Sequence, residues 1–136
     1  MKSVTYATAV LAFVACGASA AAPYATIEEA AVVTDDNVAR FESDSIMVQG
    51  ETRRFDVTVA WRDGFVRPDG APPRKIVRYL VKCDVKEIAL SSVLVFGSTG
   101  ETAKIFGVPP GAWDFMPVAG GTREAKWFEK TCDAPL

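Results

Sequence analysis

The fold of this 136-residue chain is decided by residues 54–61, which read RFDVTVAW. Apolar residues alternate strictly with polar or small ones along this stretch. The apolar set is Phe55, Val57, Val59 and Trp61, and the other set is Arg54, Asp56, Thr58 and Ala60. Because successive side chains of a β-strand point to opposite faces of a sheet, this alternation predicts a strand with one buried and one solvated face. Antiparallel sheets commonly have this construction. The register also assigns Trp61 to the core.

Short apolar runs separated by turn residues continue on both sides of this strand. Upstream runs lie at residues 30–33, 38–41 and 46–48, with polar turns predicted at 34–37 and 42–45. Downstream strands are predicted over residues 76–85, 87–96 and 102–106. Turn residues at such short intervals are typical of antiparallel strands rather than helices. We expect one antiparallel sheet of about six strands.

The last element follows a helical pattern instead. Thr122 comes after two glycines and is a plausible N-cap, Glu124 stands in the first turn, and basic residues follow, which predicts a helix over residues 123–131. The apolar face of this helix carries Ala125, Phe128 and Cys132. Trp127 lies one position off that face and is interpreted as a surface residue. The fold class is therefore α+β, with one C-terminal helix packed on the sheet.

Residues 1–20 have the features of a secretory signal peptide: a cation at Lys2, an apolar run and a small-x-small ending at Ala20. The unbroken apolar run is shorter than the roughly 20 residues of a membrane span. Cys16 supports an alternative, because the sequence FVACG around it resembles a bacterial lipobox, in which the cysteine is acylated and becomes the mature N-terminus. Residues 21–28 are then predicted to be a tether, and residues 29–136 a single domain.

Export places the two remaining cysteines in an oxidising compartment, the periplasm or the cell surface. An even pair of cysteines allows a single connectivity there, so a disulfide between Cys83 and Cys132 is expected. The rival interpretation is a thiol nucleophile. That interpretation lacks a histidine to activate the thiol, because the chain contains none.

The amino-acid composition excludes several kinds of catalytic and binding site. The absence of histidine removes histidine-based catalytic triads and metal sites, and two cysteines alone make a poor zinc site. A net charge of −2 gives no general attraction to nucleic acid. Adjacent acidic residues, such as Asp35 with Asp36, stand in turns rather than across a cleft. We expect no enzymatic activity, no catalytic residues, no cofactor and no metal.

Residues 62–75 concentrate glycine and proline, which predicts a long exposed loop. Binding residues tend to lie on such loops when a rigid sheet carries them. The candidate partner-binding residues are Phe65, Arg67, Arg74 and Lys75 from this loop, together with Trp127. The alternative is a hairpin connection whose charges are merely solvated.

Several motifs taken together resemble the surface-adhesin protein E family of bacterial envelope proteins. The resemblance spans residues 30–132 and is carried by FESDSI at 41–46, a strand ending in Cys83-Asp84, Gly111-Ala112-Trp113, Pro117, Gly120-Gly121-Thr122 and a helix ending Thr131-Cys132. It implies an antiparallel sheet with a disulfide-docked helix, a secreted or surface location, and non-catalytic binding, in named members to host extracellular-matrix and plasma proteins.

The leading hypothesis is therefore an envelope protein that binds a protein or other extracellular macromolecule through its loop and sheet surface. The alternative is a periplasmic structural or housekeeping protein that forms a homodimer through an edge of the sheet, where unpaired strands can associate.

Overall fold

One antiparallel sheet forms the centre of the computed structural model, which describes residues 24–136. Its strands are β1 (Asn37–Gln49), β2 (Thr52–Trp61), β3 (Arg74–Lys82), β4 (Glu87–Phe96), β5 (Thr102–Gly107) and β6 (Met116–Pro117). They lie in the order β1-β2-β3-β4-β5, and β6 pairs with the end of β4. The helices are α1 (Ile27–Ala31) and α2 (Arg123–Asp133). The expected signal peptide, the alternative lipidation of Cys16 and the first residues of the tether lie outside the described residues.

The predicted fold class is confirmed, and the core lies on one face of the sheet, which we call the covered face. Phe55, Val57 and Val59 of β2 are buried there, as the alternation of residues 54–61 predicts. Both helices pack on this face, since Ala30 of α1 and Phe128 of α2 join the same buried cluster. Burying such side chains contributes roughly 1.5–3 kcal/mol each. The covered face is therefore the main source of stability.

The expected disulfide joins Cys83, directly after β3, to Cys132 in the last turn of α2, with the two Cα atoms 5.7 Å apart. A second clamp reinforces it. The guanidinium of Arg53 in β2 donates hydrogen bonds to the carbonyl oxygens of Thr131, Cys132 and Ala134 at 2.9, 3.1 and 2.9 Å. Cations at a helix C-terminus satisfy carbonyls that have no partner within the helix. The end of α2 is thus fixed twice to the sheet.

Trp127 corrects the prediction of a surface residue, because it is only 5% exposed. Its ring centroid lies 6.3 Å from that of Phe55 and 5.9 Å from that of Tyr79. The inward stripe of α2 is formed by Trp127, Phe128 and Thr131. Arg53 and the disulfide hold the helix end, which turns Trp127 toward the sheet and leaves Cys132 only partly buried.

The N-terminal part of the domain differs from the prediction in two places. Residues 30–33 are not a strand, because α1 begins after the N-cap Thr26, whose side chain accepts a hydrogen bond from the Glu29 amide. Residues 24–28 are not a tether, since Tyr24 and Ile27 pack against the core. A five-residue helix carries too few turns for its period to be told from that of a short strand.

The predicted turn at residues 42–45 is also absent, and β1 runs through it. The strand accommodates the polar residues as a bulge, with a register shift between Glu42 and Met47. The Ser45 hydroxyl accepts a hydrogen bond from the Asp56 amide at 2.7 Å and donates one to the Glu42 carbonyl. The serine side chain thus satisfies a backbone group that the interrupted ladder would leave unpaired.

Candidate interaction surface

The face of the sheet opposite the core, which we call the open face, carries three cross-strand rows of side chains. From β1 to β5 these rows are Val38-Ala60-Arg74-Phe96-Thr102, Arg40-Thr58-Ile76-Leu94-Ile105 and Glu42-Asp56-Arg78-Ser92-Gly107. None of these residues is buried. Because β-strand side chains alternate between faces, the strands that bury the core necessarily present this second set to the other side.

The middle row is apolar across three strands. Ile76, Leu94 and Ile105 are paired in register on β3, β4 and β5. Ile105 is 64% exposed at the sheet edge, and Val38 is 52% exposed at the opposite edge in the row above. Ile76 and Leu94 are half-exposed, so the three side chains form a contiguous apolar row, which is more informative than scattered surface hydrophobes because it marks a surface suited to association.

Arginines surround the apolar row. Arg78 forms a two-point ion pair with Asp56 at 2.8 and 2.9 Å, and this hydrogen bonding raises the pKa of Arg78. Arg40 pairs with Glu42 at 3.2 Å. Arg74 lies 4.1 Å above the ring of Phe96 and makes no ion pair within residues 24–136. The two acidic groups of the open face therefore each have an arginine, while the guanidinium of Arg74 is left for another partner.

The open face ends at the next row, where Arg54 lies opposite Leu80 in β3 and Leu80 is fully buried. The Nε of Arg54 is buried and finds no hydrogen-bond acceptor among the described residues. Buried donors without acceptors are uncommon, because each forfeits the hydration it has in the unfolded chain.

Residues 62–73 form a loop beside this surface, and Trp61 holds it in place. The Trp61 and Phe65 rings stack with centroids 5.2 Å apart and planes 7° apart. The indole Nε1 of Trp61 donates a hydrogen bond to the Pro72 carbonyl at 2.8 Å. The core assignment of Trp61 is therefore wrong: the residue is the last of β2 and is only half-buried.

An open depression of about 300 Å³ lies where the open face meets this loop. Its lining is formed by Val38, Arg40, Thr58, Ala60, Trp61, Arg62 and Asp63. An aromatic ring, an aliphatic side chain and two guanidinium groups thus converge on one shallow site.

Lys75 corrects a second prediction, because it is 4% exposed and cannot belong to an exposed loop. Strand β3 begins at Arg74, so Lys75 falls on the covered face opposite Val59 and Val95. Its Nζ donates a hydrogen bond to the Val32 carbonyl at 2.6 Å and lies 5.0 Å from the Tyr24 ring centroid. Burial lowers the pKa of Lys75 to about 8.

The candidate residues therefore divide between the two faces. Phe65 and Arg67 are exposed on the loop and Arg74 on the adjoining open face, whereas Lys75 and Trp127 are buried on the covered face. The apolar ladder at the centre of the open face, formed by Ile76, Leu94 and Ile105, was not among the predicted site residues. The even positions of β2 and β3, which alternate with the core residues, were the sequence signal that could have identified it.

Comparison of the chain with protein-family models and with curated proteins finds no match. A crystal structure of Haemophilus influenzae protein E, in its crystal form II, is similar in structure. The TM-score is 0.48 and the sequence identity 11%, over 74% of this chain and 90% of that chain. The similarity is one of fold. Among residues 24–136, no helix is long and apolar enough to cross a membrane.

Proposed function

We propose that this chain is an exported, non-enzymatic bacterial envelope protein, of the kind the sequence resembles in the surface-adhesin protein E family. It binds a protein or other macromolecule through the open face and the adjoining loop of residues 62–73. The observation that carries the proposal is the open face itself, an apolar ladder ringed by arginines and lying beside a tryptophan-held loop.

Physical reasoning supports this surface over the covered face. The covered face is filled by α1 and α2 and is fixed by the disulfide and by Arg53. The open face presents aromatic, aliphatic and arginine side chains together, the combination that dominates binding energy in protein interfaces. Its rigidity also favours binding, since few side chains on a sheet need to be ordered when a partner arrives.

Site-specific photo-crosslinking in the native envelope tests the proposal. A photoreactive phenylalanine analogue replaces Phe65 or Ile105 in turn, and Lys126, exposed on α2, is the matched control position. We expect discrete crosslinked species from the first two positions and none from the third. A protein that crosslinks equally from all three positions, or from none, contradicts the proposed surface.

Shortening the loop is the second test. Replacing residues 64–70 by a short glycine-serine linker keeps Trp61 and Pro72, and it should leave the sheet folded while reducing partner capture. A folded variant that captures the same partner unchanged would remove the loop from the binding surface. Turnover of any substrate in a broad hydrolase screen would contradict the non-enzymatic assignment.

Export is tested by intact mass and fractionation of the protein from its native envelope. A soluble chain beginning at Ala21 supports cleavage of a signal peptide, and an acylated chain beginning at Cys16 in the membrane fraction supports the lipoprotein alternative. A chain that retains Met1 in the cytoplasm contradicts both.

The sheet edge supports the second candidate function, a homodimer. Strand β5 is an edge strand on the main strand path, and its residues 102–105 are all exposed. Pairing of two β5 strands would cover two exposed Ile105 side chains. Light scattering over a range of concentrations distinguishes the candidates, because a strictly monomeric protein excludes this one.

A further inference from the structure

We infer that the open face binds an extended, acidic polypeptide segment whose apolar side chains lie on the Ile76-Leu94-Ile105 ladder. This inference rests on the proposed function and specifies its partner. It follows from three properties of the open face: its size, its charge and its apolar centre.

The small size of the open face favours an extended peptide segment as its partner over a folded domain. Five strands spaced by roughly 4.8 Å and three rows spaced by roughly 6.8 Å give a patch about 19 Å by 14 Å. Stable interfaces between folded proteins bury about 800 Å² on each partner, well above what this flat patch provides. An extended segment of about five residues has a matching length.

Charge favours an acidic segment. The chain carries a net charge of −2, yet the three rows of its open face hold three arginines against two acidic residues. Glu42 and Asp56 are already paired with Arg40 and Arg78. Arg74 is therefore free to receive a carboxylate, and guanidinium groups do so through two parallel hydrogen bonds.

The apolar centre favours a polypeptide over an anionic polysaccharide or a nucleic acid. A sugar-phosphate or sulfated chain could satisfy Arg74, but it would leave Ile76, Leu94 and Ile105 without apolar contact. A segment that alternates acidic and apolar residues satisfies both requirements, since it can place carboxylates on the arginines and apolar groups on the ladder. The depression beside Trp61 then accepts one larger side chain at the end of the segment.

The test uses the mature protein and three fluorescein-labelled probes of ten residues: one alternating Asp with Leu, one alternating Lys with Leu, and one of Asp alone. We expect the Asp-Leu probe to bind at least tenfold more tightly than the other two. Its binding should weaken as salt increases. Amide chemical shifts should change on β2 to β5 and not on α2.

Two variants with the same change of charge identify the site. Arg74→Glu should weaken the Asp-Leu probe at least tenfold, whereas Lys126→Glu on α2 should leave its affinity unchanged. Ile105→Ser should also weaken it, because the apolar ladder loses its edge residue. Equal effects of Arg74→Glu and Lys126→Glu, or shifts confined to α2, would overturn the inference.

The probes also separate this inference from the proposed function. If the Asp probe binds as tightly as the Asp-Leu probe, the partner is a polyanion and the inference fails. If Phe65 and Ile105 positions crosslink a native partner that the Asp-Leu probe does not displace, the inference fails while the proposed function stands. Displacement of that partner by the probe supports both.

Discussion

The ammonium of Lys75 donates a hydrogen bond to the Val32 carbonyl at 2.6 Å, inside the buried side of the sheet. Val32 is the C-cap of α1, where backbone carbonyls lack helical partners and carry partial negative charge. The Tyr24 ring lies on the same ammonium at 5.0 Å. The buried ammonium of Lys75 therefore fixes the segment before β1 onto the sheet, and no carboxylate of residues 24–136 forms an ion pair with it.

This arrangement predicts an unusual dependence of stability on pH. Burial lowers the pKa of Lys75 from 10.5 to about 8, so between these values the unfolded chain binds a proton that the folded chain does not. The free energy of unfolding should therefore rise as pH increases from 8 toward 10. Above pH 10 it should fall, because burial raises the pKa of Tyr24, and that of Tyr79 to about 12. Urea titrations between pH 7 and 11 measure both limbs.

In Lys75→Met, the free energy of unfolding should no longer rise between pH 8 and pH 10 but should still fall above pH 10. The substitution removes the cost of burying a charge but leaves the Val32 carbonyl without its donor, so we expect the free energy of unfolding at pH 7 to change by about 2 kcal/mol or less. Lys126→Met, a change at an exposed lysine on α2, is the control and should retain both limbs. A rising limb of full size in Lys75→Met would assign the titration to another group.

Arg53→Met should loosen the end of α2. The variant loses charge-assisted hydrogen bonds to three carbonyls, which we expect to cost about 1.5–3 kcal/mol. Amide exchange should accelerate most in residues 128–134, and the disulfide should keep the helix attached. Arg67→Met in the exposed loop should stay within about 0.5 kcal/mol of the wild type. Uniform acceleration of exchange across the sheet would contradict a local clamp.

Removal of the disulfide should cost more than loss of the Arg53 clamp. Cys83 and Cys132 are 49 residues apart, and closing a loop of that length is worth about 4 kcal/mol in the chain-entropy model. The Cys83→Ser, Cys132→Ser double variant should therefore unfold at a much lower urea concentration than the wild type. An unchanged midpoint would show that Arg53 and the packing of Trp127 suffice to hold α2.

Phe65→Ala should affect the loop and spare the domain. The stacking pair with Trp61 is partly exposed, so its loss should cost about 1 kcal/mol or less. Exchange of the Trp61 indole proton should accelerate, because the hydrogen bond to Pro72 loses its cover. Val66→Ala, at a position 86% exposed, is the control and should leave that exchange rate unaltered.

The successes and failures of sequence reasoning have distinct physical causes. Alternation located β2 correctly because eight residues of strict period two exclude a helix. The run at residues 30–33 failed because four apolar residues fit one turn of helix as well as a strand. The polar residues at 42–45 indicated a turn. The strand continues through them because the Ser45 hydroxyl accepts the hydrogen bond of the Asp56 amide in place of a backbone carbonyl.

The two misplaced site residues failed for tertiary reasons. Lysine is charged and is therefore expected at the surface. Lys75 can be buried because its ammonium donates a hydrogen bond to the Val32 carbonyl, which is distant in sequence. Trp127 depends on the rotation of α2, which is fixed by Arg53 and the disulfide rather than by the helix's own pattern. The open face could have been predicted, because its residues alternate along the strands with those predicted to form the core.

The cations of the three open-face rows are all arginines, whereas Lys86, Lys104, Lys126 and Lys130 are exposed elsewhere. Reagents that acylate primary amines therefore modify the protein without touching the guanidinium groups on which recognition is proposed to depend. Both helices lie on the covered side of the sheet, and α2 leads directly into the C-terminal residues. A sensor surface coupled through the amines of α2, or through a tag at the C-terminus, would leave the open face pointing into solution.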